Sequence, residues 1–358
     1  MKPLSAEDVR EQVKDYYGKQ LTGTDDLKTQ ACCVSDAPPQ HIRDALPLID
    51  DEIIDKFYGC GSPIPPALDG ATVLDLGCGT GRDAYVCAKL VGPTGRVIGV
   101  DMTREQIDVA RRHADAQARR FGHAASNVVF HHGCIEDLGG LGIADDSVDV
   151  VISNCVINLS PDKTRVFAEV FRVLKPGGEL YFSDVFASRR VPASVRADPV
   201  MRGECLGGAM YIEDFRRMLR GVGCFDHRVV SSRRFDISDA DMEARVGMVD
   251  FCAATIRAFK LDDLEDGCED YGQVAMYRGT LPESPHAFTL DDHHVFRTGQ
   301  RVPVCGNTAS MVSRTRYGRH FEVIGGRATH LGRFDCSGGG DGGAPFGAVT
   351  LRPGGGCC

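Results

Sequence analysis

Residues 73–81 read VLDLGCGTG, and this stretch decides the fold. A buried-strand pattern runs into a glycine-rich loop, and a helical pattern follows from residue 82. Gly77 and Gly79 can take positive φ angles, which lets a ligand approach the backbone closely. A dinucleotide-binding loop has a third Gly or Ala three positions after the second glycine, where this chain has Arg82. Asp75 is poorly suited to a neighbouring pyrophosphate, but it suits a ligand that carries an amine.

Strand and helix patterns alternate on both sides of this loop, from residue 71 to residue 186. Such alternation predicts an α/β fold, with a parallel sheet that carries helices on both faces. Helices are predicted near residues 82–91, 103–121 and 162–173. The predicted strands are Thr72–Leu76, Arg96–Asp101, Val128–His131, Val148–Ser153 and Glu179–Asp184.

Polar and apolar side chains follow the ends of these strands, at the edge where open α/β sheets bind ligands. Asp101 ends the second strand, where an acid can accept hydrogen bonds from both hydroxyls of a ribose, and Met102 follows it. Ile135 and Glu136 follow the third strand and could stack on an adenine and bind its amine. Asn154 follows the fourth strand. Together these positions predict an adenosine ligand.

At this point residues 50–186 resemble the class I S-adenosylmethionine methyltransferases, which have a Rossmann-like sheet. The resemblance implies S-adenosylmethionine as cofactor. It implies that Asp75 and Gly77 lie near the methionine end and that Asp101 holds the ribose. Tyr58 is a further candidate contact of the methionine end. The remaining implied cofactor residues are Gly79 and Asn154, Met102 and Ile135 beside the adenine, and Glu136 near the adenine amine.

Fifteen cysteines are the second notable feature of the chain. Their odd count and an N-terminus without an apolar signal argue against a disulfide framework. A single cysteine is most often a buried apolar residue, and we expect this of Cys87, Cys134 and Cys252. Zinc is another alternative, but its cysteine ligands usually come in pairs roughly two to four residues apart. Four contexts stand out, at residues 27–33, 57–63, 153–159 and 203–208.

These four contexts closely resemble those of the arsenite methyltransferases, and with the glycine loop the resemblance extends over residues 1–285. In that family the cysteines bind trivalent arsenic or take part in the thiol–disulfide steps around it. The matching positions are Cys32, Cys60, Cys155 and Cys205, which we expect to be catalytic. Cys60, Cys155 and Cys205 are the expected arsenic(III) ligands. Cys33 adjoins Cys32, so either of the two could be the first working thiol.

The chemistry of arsenic accords with this resemblance. Soft thiolates select soft centres, and arsenic(III) bound to thiolates keeps a lone pair that can attack a sulfonium methyl group. Oxygen and nitrogen acceptors usually need a general base, whereas this nucleophile carries no proton, so we nominate no base. The expected products are methyl-, dimethyl- and possibly trimethylarsenic species, formed in arsenic detoxification. Two alternatives stay open: another small-molecule class I methyltransferase, and a non-catalytic arsenic-binding protein.

The expected partners are trivalent arsenicals as glutathione or other thiol conjugates, with glutathione or thioredoxin as external reductant. A net charge of −9 argues against nucleic acid. No run approaches the ~18 apolar residues of a membrane helix, so we expect a cytoplasmic protein, taken to be a monomer.

The sequence also predicts a division of the chain into four parts. These are a methyltransferase domain (1–186), an arsenic-binding domain (187–285), a β-rich domain (286–336) and a disordered Gly-rich tail (337–358). Because the motifs are complete before residue 286, we expect the cofactor fold and some methylation to survive removal of residues 286–358.

Overall fold

The structure, a computed structural model, describes residues 5–16, 38–55, 59, 63–237 and 239–335. The predicted Gly-rich tail lies outside these residues, as do Cys32, Tyr58 and Cys60. Among the helices of the described part, none is long and apolar enough to cross a membrane.

The core of the molecule is an eight-stranded sheet in the order β3-β2-β1-β4-β5-β8-β7, with β6 paired to the end of β5. Neighbouring strands are parallel from β3 to β5, whereas β8 runs antiparallel to β5 and β7 antiparallel to β8. The strands are β1 (Thr72–Leu76), β2 (Arg96–Asp101), β3 (Val128–His132), β4 (Val148–Asn154), β5 (Leu174–Ala187), β6 (Met210–Tyr211), β7 (His227–Phe235) and β8 (Phe251–Phe259).

Helices cover both faces of this sheet, as the alternating pattern predicts. Successive residues of β1 point to opposite faces: Val73 packs in one apolar cluster with Tyr85, and Leu74 packs in another with Phe167. The helices are α1 (Ala6–Asp15), α2 (Gln40–Ala45), α3 (Asp51–Ile54), α4 (Arg82–Val91), α5 (Arg104–Phe121), α6 (Lys163–Val173), α7 (Ala193–Arg196), α8 (Pro199–Gly203), α9 (Ile212–Gly221) and α10 (Ala240–Val246).

The last part of the described chain forms small antiparallel sheets around a third apolar cluster. One sheet pairs β10 with β13 and β14, another pairs β11 with β12, and a third pairs β9 with β15. The elements are β9 (Glu269–Asp270), β10 (Gln273–Tyr277), β11 (Ala287–Thr289), β12 (Val295–Arg297), β13 (Arg301–Val304), α11 (Gly306–Ser313), β14 (Phe321–Ile324) and β15 (Gly332–Arg333).

The first two of the three internal boundaries in the predicted division are crossed by hydrogen-bonded sheet. Strand β5 continues through residue 186, and β7 and β8 from the predicted second domain complete the main sheet. Strand β10 lies before residue 285 but pairs with β13 and β14, which lie after it. The division into domains stays a prediction. Strand pairing across these boundaries connects the neighbouring predicted parts through shared sheets.

Buried arginines connect the main sheet to the C-terminal part. Arg228 on β7 is 1% exposed and pairs with Asp226 at 2.8 Å and with Asp291 at 3.0 Å. Arg257 on β8 pairs with Glu179 and donates to the Leu290 carbonyl at 2.6 Å. Removing one partner of a buried pair leaves an uncompensated charge, at a cost of about 3–5 kcal/mol. These contacts argue against the expectation that the cofactor fold and some methylation survive removal of residues 286–358.

A second connection runs from the C-terminal part to the segment just before β1. Arg316 donates from Nη2 to the Pro66 carbonyl at 3.0 Å and from Nε to the Ala67 carbonyl at 3.1 Å. The Glu283 carboxylate accepts the Ala67 backbone N–H at 2.8 Å. The C-terminal part therefore holds the chain immediately upstream of the glycine loop.

Candidate active site

A cleft lies at the carboxyl ends of β1, β2 and β4. Every predicted cofactor residue that the structure describes lines this cleft. The prediction that these strand ends converge is therefore supported by their placement, while the role of each residue stays a prediction. These residues are Asp75, Gly77, Gly79, Asp101, Met102, Ile135, Glu136 and Asn154.

The glycine loop has the backbone that its residue types predict. Gly77 and Gly79 have φ angles of 70° and 52°. A Cβ atom on Gly77 would lie 2.3 Å from a methyl carbon of Val156. The Gly79 N–H donates to the Asp101 carboxylate at 3.0 Å, which ties the loop to the end of β2. No larger residue could occupy position 77 without displacing the chain after β4.

Asp75 presents an unsatisfied acidic group to the cleft. Its side chain is 2% exposed, and its Oδ2 atom has no hydrogen-bond partner among the described residues. Burial, together with the nearby carboxylates of Asp83 and Asp101, raises the pKa of Asp75 well above its usual value. A buried carboxylate without a partner is costly, and an ammonium group or other donor in the cleft would satisfy it. This observation fits the amino group of a bound S-adenosylmethionine.

At the other end of the cleft, the apolar side chain of Ile135 lies next to Glu136, whose carboxylate is fixed by neighbouring groups. Ile135 and Glu136 are 7% and 5% exposed. The Ser160 hydroxyl donates to Glu136 Oε1 at 2.8 Å, and the Arg10 guanidinium lies 3.7 Å from the same oxygen. These contacts fix the carboxylate in the place where the sequence predicts the adenine amine.

Three groups at the cleft were missed by sequence reasoning. Arg10 and Val13 of α1 line the cleft, and the amphipathic pattern of α1 does not say which site it covers. Asp83, in the first turn of α4, accepts a 2.9 Å hydrogen bond from the Asn154 side chain. Its position two residues after the glycine loop was the one available signal.

Cys155 and Cys205 form a pair next to this cleft. Cys155 lines the cleft, and both residues are buried, at 1% and 0% exposure. Their sulfur atoms and a carboxylate oxygen of Asp184 all lie within 4.8 Å of one another. The Cys205 thiol donates to the Cys155 carbonyl oxygen at 3.5 Å. The structure thus brings together two of the four cysteines that the sequence singles out.

Both cysteines have a strained backbone. The φ angles are 58° at Cys155 and 62° at Cys205, in the left-handed region that non-glycine residues rarely adopt. Such conformations cost about 1–3 kcal/mol each and persist where the surrounding structure imposes them, often at functional sites. Nothing in the sequence pattern signals this strain, because it depends on contacts between distant segments.

Asp184 and Asn158 hold the Cys155 loop in place. Asp184 accepts the Asn158 backbone N–H at 3.0 Å and its side-chain amide at 2.6 Å. The Cys155 N–H donates to the Ser183 carbonyl at 2.8 Å. Burial raises the pKa of Asp184 to about 7, against the opposing effect of these hydrogen bonds and of Lys163. The sequence analysis did not single out either residue, although an acid inside an apolar strand was a visible signal.

The remaining described cysteines that the sequence analysis considered differ from the pair. Cys87 and Cys252 are buried in apolar clusters, as expected, whereas the expectation is wrong for Cys134, which is only partly buried and lines the cleft. Burial raises the pKa of Cys252 to about 12 and that of Cys87 well above its usual value, so both stay neutral thiols. Cys155 itself is disulfide-bonded, so its sulfur can bind another atom only after reduction. Cys32, Cys60 and Tyr58 lie outside the described residues, and their assignments stay predictions.

Comparison with known proteins adds to this geometry. Residues 67–223 match a family described as a methyltransferase domain, and residues 264–341 match a domain of unknown function. An arsenite methyltransferase of Aquipseudomonas alcaligenes is 52% identical over 93% of this chain and 95% of its own length. The human arsenite methyltransferase is 40% identical over 90% of this chain and 86% of its own length.

A solved structure extends the likeness to three dimensions. The crystal structure of an arsenic(III) S-adenosylmethionine methyltransferase from Chlamydomonas reinhardtii superposes with a TM-score of 0.81 and 53% sequence identity. The match covers 84% of this chain and 100% of that chain.

Proposed function

The chain belongs to the arsenite methyltransferase family, and from that premise we propose that it methylates thiol-bound trivalent arsenic at the Cys155–Cys205 pair. The observation that carries this proposal is the position of two buried, strained cysteines beside a cofactor cleft. The methyl donor is S-adenosylmethionine. The expected products are methyl-, dimethyl- and possibly trimethylarsenic species.

The residues of the cleft bind and orient the methyl donor. The unpartnered Asp75 oxygen accepts from its amino group, Asp101 accepts from the ribose hydroxyls, and Glu136 accepts from the adenine amine. The bound donor supplies an electrophilic methyl group on a positively charged sulfur. This assignment is supported by the burial of these acids and by their shared cleft.

Cys155 and Cys205 hold the arsenic with its lone pair towards the methyl group. The lone pair forms the arsenic–carbon bond while the sulfur–carbon bond breaks and its electron pair stays on sulfur. No proton moves in this step, so no general base is needed. The contribution of the protein is to position the nucleophile, which can account for several kcal/mol of the barrier.

Methyl transfer leaves arsenic formally pentavalent, and a further step must return it to the trivalent state. Two thiolates can supply the two electrons by forming a disulfide, which an external thiol then reduces by exchange. Cys32 and Cys60 are the proposed thiols for this step and for a third arsenic bond. The disulfide-bonded state of Cys155 supports a cycle in which the cysteines of the site alternate between thiol and disulfide.

We further propose glutathione or thioredoxin as the reductant and thiol conjugates of arsenic as the physiological substrates. A cytoplasmic monomer engaged in arsenic detoxification is the setting that best fits these reagents.

A two-substrate assay on single variants tests the proposal. Cys155→Ser and Cys205→Ser should lose methylation of both arsenite and methylarsenite, because serine is a poor donor for a soft centre. Cys32→Ser or Cys60→Ser should lose activity on arsenite but keep some on methylarsenite. Methylarsenite already has one arsenic–carbon bond, so it needs one cysteine thiolate fewer than arsenite. The arsenic products are separated and identified by chromatography with elemental detection.

Two controls complete this assay. Cys33→Ser decides which of the adjacent cysteines works, and Cys87→Ser tests a buried thiol away from the pair. A Cys155→Ser variant that methylates methylarsenite near the parental rate would contradict the proposed ligand role. Methylation of another acceptor in a variant without either cysteine would favour a different small-molecule methyltransferase.

A further inference from the structure

A buried carboxylate, Asp184, lies beside the cysteine pair, and in addition to holding the Cys155 loop it is close enough to act on the proposed reaction. Asp184 lies on β5, is 0% exposed, and has an oxygen within 4.8 Å of both the Cys155 and the Cys205 sulfur atoms. A carboxylate is a hard donor and a poor ligand for soft arsenic(III). Its proximity therefore calls for a function other than arsenic coordination.

The surroundings of Asp184 hold its carboxylate in one orientation. Oδ2 accepts the Asn158 N–H at 3.0 Å, and Oδ1 accepts the Asn158 side-chain amide at 2.6 Å and the Val185 N–H at 2.8 Å. The Lys163 ammonium, which donates to the Ser160 carbonyl at 3.0 Å, favours the ionised form of Asp184. These three donors and the cation stabilise the ionised carboxylate, although burial still raises its pKa to about 7.

Methyl transfer moves a positive charge towards this carboxylate. Before transfer the charge is on the sulfonium, and arsenic bound to thiolates is neutral. As the arsenic lone pair forms the new bond to carbon, the sulfur keeps the electrons of the broken bond and becomes neutral. Arsenic then carries the charge as a pentavalent cation, next to the sulfur atoms that Asp184 adjoins.

We propose that Asp184 accelerates methyl transfer by stabilising the positive charge that develops on arsenic. The proposal rests on the proposed function, since it requires arsenic at the Cys155–Cys205 pair. A fixed negative charge near arsenic interacts more strongly with the transition state than with the neutral ground state, which is the condition for catalysis. Fixed charges in a water-excluded site act without reorganisation and are commonly the largest contribution to catalysis.

Asp184→Asn tests the charge while keeping the size of the side chain. We expect kcat to fall by about 100-fold with both arsenite and methylarsenite, equal to about 2.7 kcal/mol at 1.36 kcal/mol per decade. The dissociation constant of S-adenosylmethionine and the number of sulfur atoms around bound arsenic, counted by arsenic K-edge X-ray absorption, should not change. Asp149→Asn is the matched control, because Asp149 pairs with Lys175 and the Thr72 N–H at the opposite edge of the sheet.

A conservative variant separates the effect of the negative charge from the effect of Asp184 on the structure of the Cys155 loop. Asp184→Glu keeps the charge and should retain a larger share of kcat than Asp184→Asn. If Asp184→Asn does not fold, Asp184→Glu provides the test. The proposal would be overturned if the Asp184→Glu protein folds and binds both ligands but has a kcat no higher than that of the inactive Cys205→Ser protein.

Two other outcomes would also overturn it. Parental kcat in Asp184→Asn would show that the charge does not matter. Loss of sulfur coordination to arsenic, with an equal fall of turnover in Asp184→Asn and in Asp184→Glu, would show that Asp184 only supports the loop. Failure of the parental protein to methylate arsenic would instead refute the proposed function, so the two failures are distinguishable.

Discussion

Replacing Gly208 by alanine is expected to separate the two cysteine loops. A Cβ atom at position 208 would lie 1.9 Å from the carbonyl oxygen of Asn158 and 2.9 Å from its carbonyl carbon. These are backbone atoms, and Asn158 is held by Asp184 through both its N–H and its side chain. No side-chain rotation can relieve the overlap, so one of the loops has to move.

The size of this movement follows from the contact distances. Real Cβ atoms essentially never come within 3.0 Å of such a neighbour, so the contact must lengthen by about 1.1 Å. Position 208 is three residues after Cys205, so the shift reaches the Cys205 sulfur. A misplacement of about 1 Å can cost about 100-fold in rate. We therefore expect kcat to fall by roughly 10- to 100-fold with arsenite and with methylarsenite.

The assay measures both kcat values together with cofactor affinity by titration calorimetry. Affinity for S-adenosylmethionine should fall less than kcat, because Gly208 itself does not line the cofactor cleft, although Leu159 and Ser160 of the adjoining loop do. Gly221→Ala is the matched control, since nothing lies within 4 Å of a Cβ atom at that position. Parental kcat on both substrates in Gly208→Ala would refute the reasoning that the Asn158 contact sets the spacing of the two sulfurs.

Further variants test the cofactor site and the C-terminal part. Asp101→Ala should weaken binding of S-adenosylmethionine by about 2–4 kcal/mol while leaving arsenic binding largely intact; unchanged affinity in calorimetry would show that the ribose assignment is wrong. Arg316→Ala removes one of the two arginines that pair with the buried Glu179 and takes the donor away from the Pro66 and Ala67 carbonyl groups, so Tm should fall by at least about 5 °C relative to the exposed control Arg297→Ala. Deletion of residues 286–358 should lower Tm further, because it removes Asp291 from the buried Arg228; an unchanged Tm would support the expectation that the cofactor fold survives this deletion.

The parallel half of the sheet was predictable because its signals are local. Apolar runs that end in Asp101 or Asn154 mark strands and, by the topology of parallel sheets, place those residues at one edge. The glycine loop could also be predicted from the sequence, and the structure shows that Gly77 needs both a positive φ and space beside Val156. These features depend on residues that are adjacent in the chain.

The antiparallel half and the strain at the cysteines depend on distant segments. Strand β8 pairs with β5 although the two strands are more than 60 residues apart in the chain, and no local sequence pattern predicts that pairing. Cys205, which has a left-handed backbone, donates from its thiol to the carbonyl oxygen of Cys155, which is 50 residues earlier. For the same reason Asp184 appeared as one acid in an apolar strand, and its position near two sulfur atoms emerged only from the folded chain.

The central position of β5 has a consequence for synthesis on the ribosome. Nine residue pairs join β5 to β8, from Glu179↔Phe259 to Ala187↔Phe251. A nascent chain that has emerged only to residue 187 therefore exposes a long, apolar edge strand that can pair with another chain. Emerging segments with unpaired edges are prone to aggregate, so translation of residues 188–259 is the interval in which a chaperone would most increase the yield of folded protein.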